Sequence, residues 1–230
     1  MHAVKINLFL GILTVSLSLI GCGTSGQVRN TELLYSEEVK LAKLDSTFLD
    51  FLRRSEAGES PDSLKHLLTD ESLRWLENME YAASNEERAQ LEMRPFNEIM
   101  TIVVYRMFAR EGRLGGIYKD KMLYLAMGHD GLLRKAMRLN LGPFEVKNDR
   151  GFRGLQSSFR VPILFFVWQD NLWKLDLIAT MPVITRGIET IGVKKDWTPS
   201  KTVLYLLEKV YRNTLKQNPD ETLLDPVRTP

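Results

Sequence analysis

The sequence predicts an α+β fold: N-terminal helices packed on a curved antiparallel sheet of about four to five strands, with an extra C-terminal helix. Three observations predict it. Apolar residues recur at helical spacing from residue 31 to about 139, strand-like runs between turn residues fill 143–180, and a proline-opened amphipathic stretch follows Thr198.

In the first helical stretch Leu41, Leu44, Phe48, Leu49, Phe51 and Leu52 keep the 3.6-residue period, with Lys40, Lys43, Asp50 and Arg53 opposite. Ala57-Gly58-Glu59-Ser60-Pro61 ends it. Ser60 is then placed to cap the next helix, with Pro61 at the first position, where a missing N–H costs nothing. Thr69 is a second N-cap, leading Leu73, Leu76 and Met79 along one face, and Ser84-Asn85-Glu86-Glu87 has the spacing of a capping box. Pro95 opens the most apolar helix, through Ile99, Ile102, Val103, Tyr105, Met107 and Phe108, which is expected to be central. Gly112, Gly115 and Gly116 break it. Two shorter helices are expected at 118–127 and 131–138, with Gly128-His129-Asp130-Gly131 as their turn.

The period then changes. Strands are expected at 143–147, 152–157, 159–168 and 172–180, with hairpin turns at Asn148-Asp149-Arg150-Gly151 and Gln169-Asp170-Asn171. Residues 161–168 are apolar on both faces, which predicts a central strand. In the last one Trp173, Leu175 and Leu177 alternate with Lys174 and Asp176, predicting one buried and one wet face. A further short strand is expected at 185–193. The final helix, 199–216, carries Val203, Leu207, Val210 and Thr214 on one face, joined by Leu204, Tyr211 and Leu215, and 218–230 reads as a flexible tail.

The chain has one cysteine, Cys22. Before it stand Lys5, an apolar run over 6–20 and the tetrad Leu19-Ile20-Gly21-Cys22. That run is shorter than the ~20 residues that span a bilayer and has the build of a signal peptide. The tetrad resembles the lipobox of bacterial lipoproteins, in which an aliphatic, a tolerant and a small residue precede a cysteine. The resemblance implies cleavage before Cys22, a thioether-linked lipid on its sulfur and an acyl chain such as palmitate on the new amine. Two or more chains anchor stably where one does not. An uncleaved anchor helix, or a secretory signal with an incidental cysteine, are the alternatives. In that family an aspartate after the cysteine tends to retain the protein in the inner membrane. Gly23 stands there instead, which implies an outer-membrane anchor facing the periplasm. The expected organisation is a signal peptide at 1–21, a lipidated tether at 22–30, one α+β domain at 31–217 and the tail at 218–230.

Composition bounds the chemistry. With 44% hydrophobic residues the chain can bury a core, and with no cysteine beyond Cys22 neither a disulfide nor a cysteine metal site can hold it. Charge is uneven: residues 31–98 hold 16 acidic and 8 basic side chains, residues 106–160 hold 12 basic and 5 acidic. The basic half could face anionic lipid or an acidic partner, or the halves could pack charge to charge. The basic residues are spread over several elements rather than run together, which favours the second. After Cys22 the histidines are His66 and His129, too few for a usual zinc set. There is no Gly-x-Ser-x-Gly elbow, phosphate loop, His-Glu-x-x-His pair or calcium loop. No metal, cofactor or nucleic acid is expected. Glu37-Glu38 and Glu86-Glu87 sit at helix starts, where they complement the macrodipole.

The hairpin Phe165-Phe166-Val167-Trp168-Gln169-Asp170-Asn171-Leu172-Trp173-Lys174-Leu175-Asp176-Leu177, following helices, resembles the cystatin-like cone of the nuclear transport factor 2-like (SnoaL-like) superfamily. The resemblance covers about 31–180, while the 199–216 helix and the heavy helical content depart from it. It implies a curved sheet with a mouth in which catalytic members keep an Asp–His pair. Asp130 beside His129 is the nearest candidate, against ordinary turn chemistry. Trp197, next to Lys194 and Lys195, is either an exposed aromatic for a sugar or lipid head group or a staple on the last helix. The reading that follows is a lipid-anchored, non-enzymatic binding or scaffolding domain whose partner is another envelope component; the alternative is a ligand-binding or enzymatic cone.

Overall fold

In the computed structural model the described residues are 35–114, 120–127, 137, 139–213, 215, 216 and 218–227. Ser36 Oγ accepts from the Val39 N–H at 3.3 Å, and Glu37 and Glu38 occupy the first turn. Helix α1 (Glu37–Glu56) therefore starts with a satisfied donor and matched charge. It ends at Gly58, whose φ of 73° suits a residue without Cβ. A 3₁₀ turn, Pro61–Leu67, begins on its proline as predicted, but Ser60 does not cap it. The Ser63 N–H and hydroxyl both go to the Ser60 carbonyl, at 2.9 and 2.7 Å.

Helix α2 (Asp70–Asn85) has the predicted cap: Thr69 Oγ1 accepts from Ser72 N at 3.1 Å. The capping box lies three residues later than Ser84. Ala82 and Ala83 extend the buried stripe of α2, so Ser84 stays helical and its hydroxyl donates to the Glu80 carbonyl. The Glu87 N–H instead donates to Gln90 Oε1 at 3.0 Å, opening α3 (Arg88–Leu91). Pro95 precedes α4 (Phe96–Arg110), in which every residue from Ile99 to Phe108 is buried. An all-round buried helix is a core helix, and α4 is the central one. It stops at Glu111, before Gly112 at φ 69°. Asp120 Oδ1 accepts from Leu123 N at 2.9 Å to start α5 (Lys121–Met127). The helix expected at 131–138 lies almost wholly outside the described residues.

The sheet is an antiparallel meander, β1 (Leu141–Lys147), β2 (Arg150–Leu155), β3 (Ser158–Gln169) and β4 (Leu172–Leu175), in chain order. Asp170 and Asn171 have φ of 54° and 61°, the paired left-handed residues of a two-residue hairpin turn. β3 lies between β2 and β4, as its two apolar faces predict. One face packs on α1: the rings of Phe48, Phe144 and Phe166 meet edge to face at 5.3–6.5 Å, and Trp173 Nε1 donates to the Lys40 carbonyl at 2.7 Å. Gly151 allows that approach, since a Cβ there would lie 2.5 Å from Leu44 Cδ2.

After β4 the prediction fails twice. The last strand ends at Leu175, not residue 180, and 185–193 is not a strand. Both belong to α6 (Leu177–Lys194). Asp176, read as a strand residue, is its cap, its Oδ1 accepting from Ala179 N at 3.0 Å. Lys174, expected on a wet face, is only 9% exposed. The start of α2 covers that edge: Leu68 bridges to Leu175, and the Thr69 N–H donates to the Leu175 carbonyl at 3.2 Å. Helix α7 (Pro199–Tyr211) opens at Thr198-Pro199 as predicted, with Thr198 as its cap, but is shorter than 199–216. Val203 and Leu207 are buried, whereas Val210 is exposed, because the stripe continues to Tyr211, whose ring meets Phe108 at 5.7 Å. Gly192 and Thr202 mark the contact of α6 with α7, where a Cβ on the glycine would lie 2.1 Å from Thr202 Oγ1.

Past α7, residues expected to hang free are docked. A 3₁₀ turn, Glu221–Leu224, buries Leu223 and Leu224. Arg106, fully buried on α4, donates to the carbonyls of Ala82, Ala83 and Glu86 at the end of α2 and to that of Leu224.

Candidate functional site

Of the side chains singled out above, Cys22, His129 and Asp130 lie outside the described residues, and His66 is exposed on the 3₁₀ turn. Trp197 is described, and the local sequence builds a corner around it. At the end of α6 the Asp196 N–H donates to the Val193 carbonyl at 3.1 Å and the Trp197 N–H to the Gly192 carbonyl at 3.0 Å. These two bonds form a Schellman closure, with Asp196 at φ 53° in the place glycine usually takes. Thr198 then caps α7, its Oγ1 accepting from Lys201 N at 3.3 Å. Trp197 thus stands one residue ahead of the cap, where a staple residue would. It does not meet an apolar side chain one turn in, since Thr202 is there, but lies against Tyr205 at 4.9 Å, tilted 60°.

Lysines surround the two rings. Lys195 and Lys201 place their ammonium groups 4.8 and 5.3 Å from the Trp197 ring, and Lys209 lies 5.3 Å from the Tyr205 ring. A cation over an aromatic face is attracted to its quadrupole. Val193, 73% exposed, presents aliphatic surface in the last turn of α6, its carbonyl accepting from the Asp196 N–H. The Ser200 hydroxyl donates to Glu92, which brings the Met93 turn, 87% exposed, to the start of α7. Val193 and Met93 were not singled out in the sequence. A β-branched residue before two lysines carries no signal of exposure until the helix end is located.

No protein-family model, curated protein or solved structure matches this chain. Its chemistry has to be read from its own geometry. Between α1 and the sheet the described side chains pack closely: the Arg153 guanidinium lies 4.4 Å from the Phe144 ring and 4.7 Å from that of Phe48, and burial depresses its pKa. An apolar cavity of about 30 Å³ lies among Trp75, Val104, Met122, Leu125, Leu177 and Met181. Pockets for small molecules run to ~300–1,000 Å³, so this one is a packing gap. An open polar cleft holds Lys65, Glu77, Glu80 and Asp120. Two of its carboxylates are committed to the fold: Glu80 accepts from the Tyr105 hydroxyl and the Met122 N–H, both at 3.2 Å, and Asp120 caps α5. Burial, and then the Glu80 charge, push the Tyr105 phenol above its ordinary range. Among the described residues no group of three His, Cys, Asp or Glu side chains could hold a metal ion.

Proposed function

We propose that this chain is a lipid-anchored protein of a bacterial cell envelope. In this reading its α+β domain is a non-enzymatic binding or scaffolding module, held at the outer membrane and facing the periplasm. The observation that carries the reading is the placement of the chain's one cysteine: Cys22 closes Leu19-Ile20-Gly21-Cys22 after an apolar run too short to span a bilayer. Among the described residues no helix is long and apolar enough to cross a membrane; in this reading the attachment is the covalent lipid on Cys22. The closely packed interface between α1 and the sheet supports surface recognition over ligand capture.

The test is fractionation with metabolic labelling. Wild-type protein should sediment with membranes and take up labelled fatty acid, and Cys22→Ala should do neither. Membrane association that survives the substitution, in a chain that takes up no label, would sink the anchor. Crosslinking of the wild-type protein in intact cells should then join the domain reproducibly to one envelope protein. Turnover of a defined substrate, abolished by one polar substitution in the domain, would replace the scaffold with an enzyme.

A further inference from the structure

We propose that the corner joining α6 to α7 is a membrane-contacting face that takes anionic phospholipid head groups. Residues 191–212 hold five basic side chains, Lys194, Lys195, Lys201, Lys209 and Arg212, against Asp196 and Glu208. Among the described residues the ammonium groups of Lys195, Lys201 and Lys209 lie over rings rather than against carboxylates. Their charge is available to a phosphate. Each lysine near an anionic surface contributes roughly fivefold in binding, and tryptophan and tyrosine, apolar in body and polar at the tip, favour the head-group level. Val193 and Met93 supply apolar side chains that could enter the boundary beneath it.

A glycan is the other occupant an aromatic pair could take. The geometry favours lipid. The rings are tilted 60° to each other, so they form no flat platform for a sugar, and lysines lie over their faces. A sugar also has no use for exposed valine and methionine.

The proposed anchor makes the encounter possible without dictating it. From Cys22 to Tyr35 is thirteen residue steps, a reach of at most ~45 Å. That exceeds the ~30 Å length of a 20-residue helix such as α1. The tether therefore keeps the domain near the bilayer but does not choose the face it presents. The surface chemistry does. The proposal rests on the anchorage above only for proximity.

The test uses the intact chain reconstituted in vesicles of phosphatidylcholine alone, or with about one third phosphatidylglycerol. Lysines are labelled with an amine-reactive reagent and read by mass spectrometry, and tryptophan quenching by brominated lipid is followed in parallel. Lys194, Lys195, Lys201 and Lys209 should label several-fold less on the anionic vesicles. Half-molar salt should restore labelling, and Trp197 should be quenched on anionic vesicles alone. With Lys195→Glu/Lys201→Glu, folding checked by circular dichroism, the protection of Lys194 and Lys209 should disappear. Equal labelling on both vesicle types, with no effect of salt on the wild type, overturns the proposal whatever the variant does. Protection by purified cell-wall glycan but not by vesicles overturns it in favour of a sugar. Failure of the anchor itself is read separately, as absence of fatty acid on Cys22.

Discussion

Arg106 ties the central helix α4 to the end of α2 and to the C-terminal 3₁₀ turn. It sits with no exposed surface, and its three nitrogens meet four backbone carbonyls. Burial, with Arg110 nearby, lowers its pKa to about 10, so it stays charged at neutral pH. Three of its partners, the carbonyls of Ala82, Ala83 and Glu86, lie at the end of α2, where the negative end of the helix dipole falls; the Ala82 and Ala83 carbonyls also accept from the N–H groups of Glu86 and Val227. Arg106→Met should cost about 3 kcal/mol in urea unfolding, because four buried carbonyls lose a charged donor and the tie from α4 to Leu224 is cut. Lys should not rescue it, since one ammonium cannot span the fork. A second residue-scale prediction concerns Arg94, which holds Glu86 through two hydrogen bonds of 2.7 and 2.6 Å. Those bonds keep the Glu86 carboxyl below its ordinary range. The unfolded chain therefore takes up this proton first as pH falls. The pair's contribution is complete above about pH 4.5 and disappears as pH drops through the folded value. Glu86→Gln should cost about 1 kcal/mol at pH 7, and the gap to wild type should close towards pH 3.

At the scale of elements, α6 shows what the sequence can and cannot announce. Its residues Ile178, Val183, Ile184, Thr185, Ile188, Ile191 and Val193 have the branched character of strands, and Pro182 stands inside it. Branching is a weak preference that packing overrides. The signals that decide are the Asp176 cap and the spacing of Leu177, Met181, Ile184 and Ile188, buried or packed on the core. Asp176→Ala should destabilise by about 1 kcal/mol. Helices α1, α2 and α4 and the meander were legible because stops such as Gly58 and Gly112, the Thr69 cap and the Asp170-Asn171 turn are local chemistry. The burial of Lys174 was not, since it depends on Leu68 and Thr69 reaching β4 from a hundred residues away in the chain. An exposed Trp197 could be weighed against a staple in advance, but a half-buried ring tilted on Tyr205 could not. Gly192→Ala should force α6 from α7, because its Cβ would meet Thr202 Oγ1 at 2.1 Å. A lower melting temperature is expected, and Thr202→Ala should recover part of it.

At the scale of the whole molecule, the uneven charge does not resolve, among the described residues, into matched ion pairs between an acidic and a basic half. The described contacts include Lys40 with Asp149 at 2.6 Å and Lys65 with Asp120 at 3.5 Å, each pairing a minority charge of its half. Arg106 meets carbonyls instead of carboxylates, and Arg153 lies over rings. Salt should therefore change global stability little while changing contact with an anionic surface strongly. Removing residues 218–230 should destabilise the domain, and combined with Arg106→Met it should cost less than the two losses added, because both break the same contact.

That contact also sets a timetable. Arg106 and Leu224 are 118 residues apart in the chain, and a ribosome adds ~5–20 residues per second. For roughly 6–24 seconds after Arg106 is made its last acceptor does not exist. Until then the guanidinium has no complete cage, and α4 cannot be sealed. A nascent chain of this design keeps its central helix incompletely held until Leu224 has been translated.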